Sequence, residues 1–386
     1  MTLKIGRGAL APPFLVMDVI AAANARQLAL PPGAPRIIRM EVGQPGTGAP
    51  QGALDAAAAA LRGGDPMGYT EAFGRRSLRE RIVAHCHDWY GLDLPAARVA
   101  VTVGASGAFP LAFLAAFDPG DRVAMAAPFY PPYVNILTAL GIQPVILEAG
   151  QDTRFQPSVA MLDRLDPRPD GLIVASPCNP AGTMLHPDEL AVIARWCDSN
   201  GVRLISDEIY HGLNYDSPVA SAASFSPNAI VINSFSKYFS MTGWRIGWMV
   251  LPEDLIRPVE CLAQNMFISA PHISQIAAEA AFDCGEELKA NIARYRRSRD
   301  HLLTALPAAG FDRLSPAEGA FYLFADIAER SNDSVAFCAR MLAEAGVAAT
   351  PGVDFDRTRG NRFVRFSYCG PEADMADAAR RLGGWR

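Results

Sequence analysis

Five short apolar runs constrain the fold most: "DRVAMAAP" from Asp121, "QPVILEA" from Gln143, "GLIVASP" from Gly171, "VRLISDEIY" from Val202 and "AIVINSFS" from Ala229. Between them lie segments with helix periodicity and a glycine stop, such as "HPDELAVIARWCDSNG" from His186. Each run is too short for a helix and too continuously apolar for a strand with one wet face, so it reads as a strand covered on both sides. Strands alternating with helices predict an α/β fold with a mostly parallel sheet sandwiched by helices. Upstream, "ALDAAAAALRGG" and "SLRERIVAHCHDWYG" read as helices, "RVAVTVGAS" as a strand entering a turn, and "GAFPLAFLAAFDPGD" as a helix.

Beyond residue 270 the pattern changes. "SQIAAEAAFDCGEELKANIARYRRSRDHLLTALPAAG" reads as one long charged helix bridging two lobes. The last hundred residues read as a smaller α+β unit, with "GAFYLFADI", "GVAATPG" and "NRFVRFSYC" as strands and "SNDSVAFCARMLAEAG" and "EADMADAARRLGG" as helices. The expected division is a large domain over 46–283 and a small domain from 1–45 and 284–386.

Composition narrows the function classes. At 386 residues, 50% hydrophobic and 19% charged, the chain can bury a large core. A net charge of −5 and a pI near 5.7 give no basic footprint for nucleic acid or an anionic membrane. Seven scattered cysteines read as reduced thiols. His85, Cys86 and His87 are consecutive on an expected helix and cannot all face one metal, so no metal site is expected. No stretch has the pattern of a signal peptide or a membrane span, and a cytoplasmic protein is expected.

Of the 35 basic residues only Lys4, Lys237 and Lys289 are lysine. Lysine differs from arginine in one chemical respect: a desolvated ammonium can lose its proton near neutral pH and act as a nucleophile, and a guanidinium cannot. Lys237 sits in "SFSKYFSMTGWRIGWMV", just past a strand end, and other polar residues stand at strand ends too. Asp207 follows "VRLIS", Asn179 follows "GLIVASPC", Ser106 follows "RVAVTVGA", and Ser234 and Ser236 follow "AIVIN". Singly, Asp207 or Ser106 could cap a helix and Asn179 could open a turn. Jointly they describe an amine, a carboxylate, an amide and an anion cradle at the carboxyl edge of one sheet, where such folds bind ligands. "GASGA" opens a helix whose free N–H groups favour a phosphate, and Arg245 adds a fixed positive charge.

From Ser234 through Lys237 and Arg245 to Gly247 the chain resembles the lysine signature of the class I/II aminotransferases, fold-type I enzymes that use pyridoxal 5'-phosphate (PLP). "SPCNPAG", "SDEIYHGL", "EGAFYLF" and "FVRFSYC" resemble four further motifs of that family in the family's order, and the likeness spans roughly residues 40 to 370. The resemblance implies that Lys237 forms the imine with the cofactor and moves the substrate's α-proton. It implies that Asp207 pairs with the ring nitrogen, that Tyr210 and Asn179 bond the ring's phenolic oxygen, and that Tyr130 stacks on the ring. Ala105, Ser106, Ser234, Ser236 and Arg245 would hold the phosphate, joined by Tyr69 from a neighbouring subunit of a homodimer. Arg365 would clamp the substrate α-carboxylate, and Gly43 would admit a close backbone approach. The implied reaction is transamination between an L-amino acid and a 2-oxo acid; a carbon–sulfur β-lyase of the same fold is the alternative. A regulator with an aminotransferase-like body is disfavoured because no basic helix-turn-helix precedes residue 40.

One departure bears on the donor. A branch of aspartate aminotransferases has a lysine after the "TVGG"-type turn, where this chain has Ser106. An arginine lent by a neighbouring subunit is the other route to a second carboxylate, with Arg75 and Arg76 the nearest to Tyr69 in sequence. The expected donor is a neutral amino acid, aliphatic or aromatic.

Overall fold

The computed structural model describes residues 3–385. Its strands are β1 (Ile38–Arg39), β2 (Val99–Thr102), β3 (Arg122–Ala127), β4 (Gln143–Glu148), β5 (Gly171–Ala175), β6 (Arg203–Asp207), β7 (Ile230–Ser234), β8 (Gly247–Val250), β9 (Arg313–Leu314), β10 (Tyr322–Asp326), β11 (Val347–Ala348), β12 (Thr350–Pro351) and β13 (Phe363–Ser367). Seven of them form one sheet in the order β2-β8-β7-β6-β5-β3-β4. All its neighbours pair in parallel except at β8, which runs against both β2 and β7.

Side-chain alternation explains why the central strands are apolar throughout. Leu172, Val174, Leu204 and Val231 enter the core on one face of the sheet. Ile173, Ile205, Ile230 and Ile232 enter the core on the other, with the apolar side of the Gly104–Ala116 helix. Both faces are dry along the central strands, whereas at the edge strand β4 only Leu147 is buried and Ile146 is 41% exposed, so that run is not covered on both sides. A third core joins β1, β10 and β13 to the Gly285–Ala308 and Glu372–Gly383 helices. A four-stranded sheet of order β12-β13-β10-β9 lies there.

The structure differs from the sequence reading at four places. The expected single helix past residue 270 is two, His272–Ala281 and Gly285–Ala308. The break has a packing cause: Phe282 turns into a cluster with Phe235, Phe239 and His85, and Asp283, Cys284 and Gly285 have little helix propensity to hold the axis straight. "GVAATPG" is not one strand; β11 pairs with β1 while β12 pairs with β13 in another sheet. The run "GWMV" is a strand, β8, hidden by its place inside the lysine motif. An unanticipated helix, Leu15–Leu28, precedes β1.

All seven cysteines are free thiols. Among the described residues no helix is long and apolar enough to cross a membrane.

Because Ile205 is fully buried between the sheet and its covering helices, Ile205→Ala should lower unfolding free energy by about 2–5 kcal/mol, with the denaturant slope unchanged. A loss under about 1 kcal/mol would mean that this face of the sheet is not packed.

Candidate active site

Parallel strands deliver their last residues to one edge, and the register levels them. Ala175 pairs with Asp207, and Asp207 with Ile232. Asp207 is the last residue of β6 and Ser234 the last of β7; β2 ends at Thr102 just before the Gly104–Ala116 helix. Over this edge lies a cavity of about 620 Å³. Of the thirteen residues proposed from sequence, twelve line it: Gly43, Ala105, Ser106, Tyr130, Asn179, Asp207, Tyr210, Ser234, Ser236, Lys237, Arg245 and Arg365. Tyr69 does not; its side chain is 83% exposed on a loop away from this cavity.

The floor carries the acid. Asp207 is 4% exposed, and burial raises its carboxyl from the ordinary aspartate range to about 6, against the lowering effect of its hydrogen bonds. Those come from the Tyr133 hydroxyl and, at 3.2 Å, the Ile209 N–H. Tyr133 stands three residues past Tyr130 in "APFYPPY", and nothing in the sequence marks it as a partner of Asp207. Burial likewise lowers the Lys237 ammonium to about 8. Its Nζ donates to the Gly43 carbonyl at 2.6 Å and stands 5.6 Å from the centre of the Tyr210 ring.

One end of the cavity is an anion cradle. Ser234 Oγ and Ser236 Oγ lie 2.8 Å apart, and Arg245 Nη2 reaches Ser106 Oγ at 3.2 Å. Gly104 has φ +65°, and a Cβ there would meet the Arg245 guanidinium at 2.7 Å, so only glycine gives both the turn and the room. Residues 104–107 form the first turn of the helix, whose N–H groups have no intrahelical acceptors.

At the other end Arg365 is buried at 2% exposure. Nη1 donates to Asn179 Oδ1 at 2.8 Å, and Nη2 donates to Thr350 Oγ1 at 3.1 Å and to the Glu41 carbonyl. The guanidinium lies over Tyr322 and Phe355, with ring centroids 4.5 and 4.7 Å away. Its Nε is buried with no hydrogen-bond partner, and none of its bonds goes to a carboxylate. A buried cation lacking an anion is costly, so the group is built for an anionic ligand.

The remaining wall is apolar: Phe14, Val16, Met17, Ile20, Ile136 and Ile209. The first four come from the N-terminal helix and the residue before it, whose Leu15 and Val16 N–H groups donate to Asp354 at 3.0 and 3.1 Å. Sequence reading did not assign this wall; the spacing 16, 17, 20 was its only signal. Within one chain Arg75 meets His272 (3.1 Å) and Arg76, 80% exposed, meets Glu80 (2.7 Å), and neither lines the cavity.

The raised Asp207 carboxyl has a stability consequence. A folded-state value above the unfolded one favours folding while the group is protonated, and that contribution is lost as pH rises from about 4 through about 6. Asp207→Asn should therefore stabilise the ligand-free protein relative to the parent above pH 6, by about 3 kcal/mol at full effect, and by little at pH 4. Denaturant melts of both proteins across that range check this, and a pH-independent difference would contradict it.

Three comparisons bear on identity. The family described as aminotransferase class I and II matches residues 35–382. A valine–pyruvate aminotransferase of Mycobacterium tuberculosis is 49% identical over 100% of this chain and 99% of that protein. The crystal structure of an aminotransferase from the same organism superposes with a TM-score of 0.96, over 100% of this chain and 99% of that one, at 49% identity. The aspartate aminotransferase of Thermus thermophilus, solved with maleate, superposes with a TM-score of 0.91 at 30% identity, over 99% and 100% of the two chains. With a match along nearly the whole chain, and a lysine, an aspartate and an arginine gathered at one sheet edge, the chain belongs to the class I and II aminotransferases, a family that uses PLP.

Proposed function

We propose that this aminotransferase takes its nitrogen from a neutral aliphatic amino acid, passes it to a 2-oxo acid, and holds PLP in the cavity described above. The observation that carries the donor assignment is the allocation of charge. The cavity is lined by three basic residues, Lys237, Arg245 and Arg365, and each already has a task, while the wall of Phe14, Val16, Met17, Ile20, Ile136 and Ile209 is apolar and the other polar lining residues, such as Gln44 and Thr242, carry no positive charge. A donor's second carboxylate would be buried without a cation from this chain, whereas a branched alkyl group meets Val16, Met17 and Ile20 at no such cost. The 49%-identical relative named for valine and pyruvate supports the same choice.

The donor set fits the cofactor. A phosphate suits the cradle of Ala105, Ser106, Ser234, Ser236 and Arg245, and a cationic ring N–H suits a buried carboxylate lifted to about 6. PLP, when bound, supplies an aldehyde that captures amines and a protonated ring that accepts electrons from the substrate's α-carbon. Lys237, lowered to about 8 by burial, has a neutral fraction at physiological pH and can take and return the α-proton. Asp207, held by the Tyr133 hydroxyl and the Ile209 N–H, would keep the ring nitrogen protonated. Tyr210 would donate to the phenolic oxygen, and so would the Asn179 amide nitrogen, whose carbonyl is bonded to Arg365. Tyr130 would cover the ring face. Arg365, bonded to no carboxylate of this chain, would bind the α-carboxylate.

The reading extends to assembly and lobes. An aromatic side chain 83% exposed at a loop tip supports Tyr69 reaching the phosphate of a second copy in a homodimer. The separate apolar core around β10, β13 and the Gly285–Ala308 helix supports a small domain of 1–45 and 284–386 beside a large one of 46–283. Tyr210, Leu213 and Tyr215 reach from the large domain into that core.

Two outcomes follow. Borohydride reduction of the PLP-loaded protein and peptide mapping should place the label on Lys237, and Lys237→Ala should take no label and retain no turnover; a label on Lys4 or Lys289 refutes the assignment. In a donor panel against one oxo acid, kcat/KM for valine, leucine or alanine should exceed that for aspartate or glutamate by about 100-fold or more. Preference for aspartate would place an arginine in the side-chain pocket and overturn the donor assignment.

A further inference from the structure

Tyr322 is a buried phenol at the cavity wall that the reaction scheme above leaves without a role. Its hydroxyl lies 2.7 Å from that of Tyr210, and both rings are sealed from solvent. Its ring packs against Tyr210 at 5.7 Å between centroids and carries the Arg365 guanidinium 4.5 Å from its own. A Cβ on Gly43 would collide with the Tyr322 hydroxyl, so the glycine leaves the space that this oxygen occupies. The oxygen is thus fixed between Gly43 and Tyr210 and has one phenol to bond.

We propose that Tyr322 is a positioning residue that donates its proton to the Tyr210 oxygen, so that Tyr210 points its own proton at the cofactor's phenolic oxygen and donates more strongly. This rests on the PLP reading above. Two phenols share one hydrogen bond, so one proton lies between the oxygens and the other points elsewhere. Burial raises both phenols far above neutrality, and both protons are present at working pH. The Arg365 charge over Tyr322 makes that phenol the better donor, which sets the order Tyr322, then Tyr210, then ligand. In a dry site a donor that is itself accepting a hydrogen bond is strengthened.

The consequence is measurable at the linkage between Lys237 and the cofactor. A donor to the neighbouring phenolic oxygen draws negative charge off it and so weakens its hold on the linkage proton, lowering the linkage pKa. Removing the Tyr322 hydroxyl should raise that pKa.

The test is a pH titration of the absorption spectrum of PLP-loaded parent, Tyr322→Phe, Tyr210→Phe and the double variant, with no substrate present. Tyr322→Phe should raise the linkage pKa by about half a unit. Tyr210→Phe should raise it further, and the double variant should match Tyr210→Phe, because Tyr322 acts only through Tyr210. A parent value retained in Tyr322→Phe overturns the proposal, as do additive shifts in the double variant. A parent that forms no lysine-linked chromophore overturns the PLP reading itself, which separates the two failures.

Discussion

The rest of the site depends on the removal of one carboxylate from water. Asp207 ends the central strand of a sheet that is dry on both faces there, and burial raises its carboxyl to about 6. Two protein groups, the Tyr133 hydroxyl and the Ile209 N–H, hold it without neutralising it. Stability is therefore forgone at the point where the proposed cofactor would place its cationic ring, as is common where function requires buried charge. The same dryness depresses Lys237 to about 8 and brings its proton within reach of neutral pH. One physical cause, desolvation at a strand end, thus prepares both the acid and the base.

Charge is then distributed along the cavity with little redundancy. Arg245 serves the cradle at the helix N-terminus, Arg365 stands buried at the opposite end, and Asp207 and Lys237 lie between them. The proposed ligand, with a phosphate and a carboxylate, would thereby be held in one direction. One apolar wall of the cavity is built from an N-terminal helix anchored by Asp354, a segment that belongs to neither flank of the large sheet.

Much of this was legible in the sequence, for identifiable reasons. Parallel strands are apolar on both faces, so five of them stand out as runs, and a polar residue ending such a run is conspicuous. That is why Asp207, Asn179, Ser234 and Lys237 could be named, and the resemblance to a family then assigned their roles. β8 was not legible because it is four residues long and lies inside the quoted lysine stretch. Nor was the break at Phe282–Cys284, where tertiary packing of one aromatic ring overrides a helical pattern that continues on both sides. Tyr133 stands close to Tyr130 and Tyr322 within "EGAFYLF", yet their importance is a matter of which oxygen each reaches across the fold, and spacing along a chain carries no such information. The apolar wall was invisible for a related reason: its residues look like any amphipathic helix until the cavity beside them is seen.

The central claim is that these groups carry out a half-reaction that leaves the donor's nitrogen on the enzyme. Its most direct measurement is a single-turnover experiment with the PLP-loaded protein and valine alone, without an acceptor. The account predicts release of one 2-oxo acid per active site, accumulation of the amine form of the cofactor, and no free ammonia. No 2-oxo acid from valine, or, with a donor that carries a β-leaving group, continued release of ammonia with return of the aldehyde form, would contradict transamination, the second outcome showing elimination chemistry in its place.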